Sequence, residues 1–142
     1  MKKMVALSLA VVAIVCIFVF GVDCPQYPFM KIVELGNNFA LLQQDDTDIE
    51  YSPNGSENCY QGGVQVVPWE VVAYNFNDRW IIAKSDSKAG NNPQYWIIDK
   101  LYDFSPDYRK ELEKQTIGPL DSIGFYKTLK EHNIALSLIL VE

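Results

Sequence analysis

The stretch 69-WEVVAYNF-76, 77-ND-78, 79-RWIIAKS-85 constrains the fold more than any other part of the chain. Both flanks are rich in β-branched and aromatic residues, which fit a pleated surface. Asn77 and Asp78 tolerate the left-handed conformations that a two-residue hairpin loop needs. A loop at those two residues pairs Tyr74 with Ile81 and Asn75 with Trp80. Val72, Tyr74 and Phe76 then share a face with Ile81 and Ala83, while Val71, Ala73, Trp80 and Ile82 share the other. Both faces are largely apolar, so the hairpin is expected at the centre of the domain with a layer packed on each side.

The flanking segments extend this reading. The runs 30-MKIVEL-35 and 38-NFALLQQ-44 are split around 36-GNN-38, which predicts a hairpin with Gly and Asn in the turn. The polar segment 45-DDTDIEYSPNGSENCYQGG-63 is expected to be mostly loop, with a strand around Ile49 and Tyr51. Another strand is expected at 94-QYWIIDK-100. The period then changes. Ser105 followed by Pro106 signals a helix start, and 106-PDYRKELEKQ-115 continues as a helix. The run 117-IGPL-120 reads as a breaker. Asp121 or Ser122 caps a second helix reaching about Glu131, with Ser122, Phe125, Tyr126 and Leu129 on one side. The run 134-IALSLIL-140 reads as a closing strand. The expected class is α+β, an antiparallel sheet built from hairpins followed by one or two C-terminal helices.

The N-terminus bears on location. Lys2 and Lys3 precede an uncharged run from Met4 to Val22, the pattern of a secretory signal. As a helix that run would reach roughly 28 Å, close to a bilayer's hydrocarbon core, so an uncleaved anchor fits as well. Residues 1–21 are thus expected to be a signal peptide or membrane anchor, and 22–142 a single domain outside the cytoplasm. The whole chain carries a formal charge of −6. Without residues 1–21 it keeps ten basic and eighteen acidic residues, a charge of −8. Such a balance excludes a nucleic-acid backbone as the expected partner and offers no basic patch to anionic lipid. Membrane contact is expected only through the N-terminal segment.

Cys16 lies inside the apolar run, which leaves Cys24 and Cys59 in the exported part. An even pair in an oxidising compartment is a candidate disulfide. Closing that loop stabilises by on the order of 3–4 kcal/mol in the chain-entropy model. Lipidation of Cys24 and a free thiol are the alternatives. The peptidase that processes lipid-linked cysteines takes a small residue before the cysteine, whereas Asp23 stands here.

The segments 74-YNFNDRWIIAK-84, 95-YWIIDK-100 and 118-GPL-120, the last followed by an amphipathic helix, resemble a family of small uncharacterised bacterial lipoproteins and secreted proteins. The resemblance covers residues 30–140 and implies a short lipoprotein-type signal before a domain of this length. That family is a domain of unknown function, so the resemblance carries over no catalytic residue. Asp23 departs from its pattern.

The residues suggest little chemistry. Asp46, Asp48, Glu50, Ser52, Asn54 and Glu57 fall at positions 1, 3, 5, 7, 9 and 12 of a calcium loop. Position 6 is Tyr51 rather than Gly, position 8 is Pro53, and neither flank reads as a helix, so a solvated acidic loop is the expectation. His132, the one histidine, sits at an expected helix C-terminus, where partial positive charge is favourable. No Gly-x-Ser-x-Gly elbow and no phosphate loop occurs, and one His with two separated Cys makes no zinc set. No cofactor and no catalytic or metal residue is therefore assigned. Trp80 and Trp96 lie inside strands and read as a core pair. Trp69, just after Pro68, is the candidate exposed ligand surface for peptide or sugar.

The leading expectation is a non-enzymatic binding module at the cell envelope, with an unknown protein or small ligand as partner. One alternative is an inhibitor or immunity-type protein for a basic partner. Another is a small hydrolase using a carboxylate pair, recognisable by a concave cluster of acids with raised pKa values.

Overall fold

The computed structural model describes residues 29–53, 63–68, 70–86, 92–101 and 107–142. Cys24, Cys59 and Trp69 lie outside the described residues, as do the run from Met4 to Val22, Asn54 and Glu57. The described elements are β1 (Lys31–Gly36), β2 (Phe39–Gln43), β3 (Thr47–Tyr51), β4 (Val64–Val67), β5 (Val71–Phe76), β6 (Trp80–Ser85) and β7 (Gln94–Asp99), then α1 (Tyr108–Gln115), β8 (Thr116–Leu120), α2 (Ser122–Glu131) and β9 (Ile139–Leu140). The α+β class holds, but the strands form two antiparallel sheets rather than one, ordered β1-β2-β3-β4 and β8-β7-β6-β5-β9.

The first sheet is a meander. Asn37 and Asn38 connect β1 to β2 with φ of 50° and 66°, the positive values that a type I′ turn demands at both central residues. Gly36, at φ 83°, belongs to the adjoining irregularity in the β1–β2 ladder. β3 and β4 then pair in turn. Val64–Val67 has no counterpart in the sequence expectation. It is short, and turn-forming Gly63 and Pro68 flank it closely.

The β5–β6 hairpin is central, as expected, but its register differs by two residues. Tyr74 faces Ala83 and Asn75 faces Ile82. Asn77 pairs with Trp80 instead of sitting in the loop, with its amide donating to the Trp80 carbonyl at 3.0 Å. The Asn77 side-chain oxygen also accepts from the amides of Arg79 and Trp80. The loop is therefore Asp78-Arg79. A shift of two preserves the faces, so Tyr74 and Phe76 still lie with Ile81 and Ala83. A bulge between Val71 and Ala73 brings Val71 opposite Ser85, and Val71 joins the core on the Ile81 side.

The second sheet is the middle of three layers. On one face Ile81, Ala83, Trp96 and Ile98 pack against Leu35, Phe39, Leu41, Ile49 and Val67 of the first sheet. On the other, Trp80, Ile82 and Ile97 pack against Phe125 and Leu129 of α2 and against Ile134. Fully buried side chains of this size each contribute roughly 1.5–3 kcal/mol. Trp80 and Trp96 are both buried, but they occupy opposite cores and do not form a pair. Trp96 anchors itself further by donating from Nε1 to Ser85 Oγ at 3.0 Å.

Both helices form where the sequence places them. Asp107 holds the N-cap position of α1 without a side-chain capping hydrogen bond. Asp121 caps α2, with its Oδ1 accepting from the Gly124 amide at 2.7 Å. Phe125 and Leu129 are the buried side of α2, while Tyr126 and Ser122 face outward. The expected breaker 117-IGPL-120 is instead most of β8, an outer strand with a cis Gly118–Pro119 bond. An outer strand admits proline because one edge makes no ladder. β9 pairs with β5 over two residues only, and Ile139 and Leu140 stay exposed.

Candidate functional site

Alternation along β3 sends its residues to two very different places. Ile49 and Tyr51 enter the core between the sheets. Asp48 and Glu50 point the other way. Asp48 stands opposite Leu42, which in turn stands opposite Ile32, and Glu50 lies in a row with Ala40, Glu34 and Gln65. The outer face of the first sheet therefore carries carboxylates set among apolar side chains. Asp45, Asp46, Asp48 and Glu50, with Met30, Leu42 and Gln44, line a cavity of about 260 Å³ there.

Burial pushes the Asp48 pKa up; Gln65, whose Nε2 donates to Asp48 Oδ2 at 2.7 Å, lowers it, and the neighbouring Asp46 charge raises it. Burial also pushes Glu50 up, and the Asp48 charge adds to that. Both carboxylates thus stand in a place that disfavours their charged form.

The calcium pattern is taken apart by the same strand. A calcium loop wraps its ligands around the ion, whereas Thr47–Tyr51 is an extended strand that carries Asp48 and Glu50 along one face. Ser52 is buried. Among the described residues no cluster of three or more His, Cys, Asp or Glu could hold a metal ion. No helix among them is long and apolar enough to cross a membrane.

His132 caps α2 and packs edge-on against Trp80, with ring centroids 5.5 Å apart. Arg79 lies over the same indole at 4.7 Å and pairs with Asp99 at 2.8 Å. These groups border a cavity of about 190 Å³ also lined by Gln115, whose side-chain amide has no hydrogen-bond partner among the described residues. The lining brings His132 and Asp99 together, with no serine or cysteine among its described residues.

A third cavity, of about 440 Å³, lies between β4 and α1 and is lined by Val64, Gln65, Val66, Trp96, Arg109, Leu112 and Glu113 among others. Sequence reasoning missed this groove and Gln65's contact with Asp48, because both depend on β4. The alternation in 64-VQVV-67 was the one available signal.

The family model described as a protein of unknown function (DUF3997) matches residues 36–142. The chain belongs to the DUF3997 family. No curated protein and no solved structure matches it. The match agrees with the expectation of a domain of unknown function and supplies no activity, so a role for this DUF3997 domain must come from its own surfaces.

Proposed function

We propose that the chain is an exported, non-enzymatic domain that binds at the cell envelope, and that its partner is a basic protein. Export rests on Lys2, Lys3 and the uncharged run behind them, with the run retained as an anchor or removed. The observation that carries the partner is the outer face of the first sheet. There Asp48 and Glu50 are crowded with Asp46 and half-buried beside apolar neighbours. A lysine or arginine docked on them offsets both the burial of charge and the like-charge repulsion. The apolar surround of Met30, Ile32 and Leu42 supplies contact area for a protein rather than for a lone cation.

The test is capture from envelope extracts at low salt with the full-length chain in detergent, beside the Asp48→Lys/Glu50→Lys variant. The proposal expects a basic protein that is lost in the variant and released by salt. Equal capture by both forms would refute it.

A hydrolase reading gains support from the same cavity, because it is concave and Asp48 and Glu50 within it have raised pKa values. An acid and a base, however, require values pushed apart. Asp48 and Glu50 are pushed the same way, so binding is the better reading. Turnover in a hydrolase screen that disappears in Glu50→Gln would reverse that preference. The state of Cys24 is read from intact mass with and without reductant. A bridge to Cys59 gains the mass of two hydrogens on reduction, and lipidation adds a diacylglyceryl group.

A further inference from the structure

Among the described residues β4 is an outer strand of the first sheet, and the 440 Å³ cavity runs beside it. Val64, Gln65 and Val66 form one wall, and Arg109, Leu112 and Glu113 of α1 contribute to the other. Trp96 also borders the cavity, as does Thr116, whose hydroxyl has no hydrogen-bond partner among the described residues. An outer strand presents backbone N–H and C=O groups in a pattern that another extended chain matches.

The charges on α1 point the same way. Arg109 and Glu113 make no side-chain ion pair or hydrogen bond with another described residue. Four residues apart on a helix, they are separated by about 6 Å along its axis. Alternate residues of an extended chain are about 6.6 Å apart and lie on one side. An acidic and a basic residue two positions apart on a strand therefore meet both charges together.

We infer that the groove between β4 and α1 takes an extended segment of a partner protein as an added strand. The segment pairs its backbone with β4, sets an acid against Arg109 and a base against Glu113, and places an apolar side chain against Leu112 and Trp96. The groove shares Gln65 with the acidic outer face, whereas Arg109 and Glu113 belong to the groove alone, so variants at those two residues test it separately.

The test is selection of short linear peptides from a random phage-displayed library on the full-length chain in detergent micelles, followed by synthesis of those selected. The inference expects acid-x-base sequences with a neighbouring apolar residue. On binding, amide exchange at Gln65, whose neighbour Val64 pairs inward with Tyr51, slows by about tenfold or more. Arg109→Glu, on the exposed surface of α1, weakens binding by about tenfold. Arg109→Glu/Glu113→Arg recovers binding to the peptide with its two charges exchanged. Three outcomes would overturn the inference: failure to select any peptide, peptides that bind Arg109→Glu as tightly as the parent, or binding that leaves exchange in β4 unchanged.

Discussion

The Lys100 ammonium donates to the Leu35 carbonyl across the junction of the two sheets. Lys100 follows β7 and is almost fully buried, and its own carbonyl accepts from Asn37 Nδ2 at 2.6 Å. One residue thus ties the β1–β2 turn to the end of the second sheet. Burial holds its pKa below the ordinary lysine value, and the Asp78 charge opposes that shift only in part. The unfolded chain therefore binds more protons than the native state between the lowered value and about 10.4. Below that window both states are protonated, and the cost of burying the cation is fully present. Stability should rise with pH through the window. Urea unfolding at stepped pH will show this rise in the parent and a smaller one in Lys100→Met.

Asp48 and Glu50 give the opposite sign. Their native pKa values lie above the unfolded ones, so the native state holds the extra protons. Native stability gains as pH falls through the raised values, and the penalty is complete above them. Asp48→Asn and Glu50→Gln should each stabilise at pH 7 by less than about 1 kcal/mol once solvent screening is allowed for. That advantage should shrink toward pH 4, where unfolded carboxyls also take up protons. Thermal unfolding at the two pH values checks it.

Gly118 is held by Trp96. A Cβ built on Gly118 would lie 2.5 Å from Trp96 Cε3 and 3.0 Å from the Tyr95 carbonyl oxygen. Overpacking of this kind costs roughly 1–3 kcal/mol. Gly118→Ala should lower the melting temperature and alter the near-ultraviolet dichroism of the indole.

Ser85→Ala removes the acceptor of the buried Trp96 N–H. An unpaired buried donor costs about 1–3 kcal/mol. Denaturant unfolding should show a loss in that range, and Ser85→Thr should recover part of it by restoring a hydroxyl.

The sequence made the central hairpin, the Asn37-Asn38 turn and both helices legible, because each rests on local chemistry. The two-residue slip in β5–β6 arose because the Asn77 side chain organises the turn from a paired position. β8 was hidden by Pro119, which reads as a breaker unless the strand is known to be an outer one. The division into two sheets depends on which hairpins pair, and periodicity does not encode that. The acids of β3 were visible as a pattern. Their placement on an open sheet face became evident only from their opposition to Leu42, Ala40 and Gln65.

Binding of a basic partner to that face is tested most directly by following the side-chain carboxyl signals of Asp48 and Glu50 by NMR as pH is changed, with and without a lysine-rich peptide. Cations docked beside the two carboxylates favour their charged forms, so both pKa values should fall toward the ordinary range when peptide is present. Titration curves that remain superimposable at saturating peptide would contradict the account.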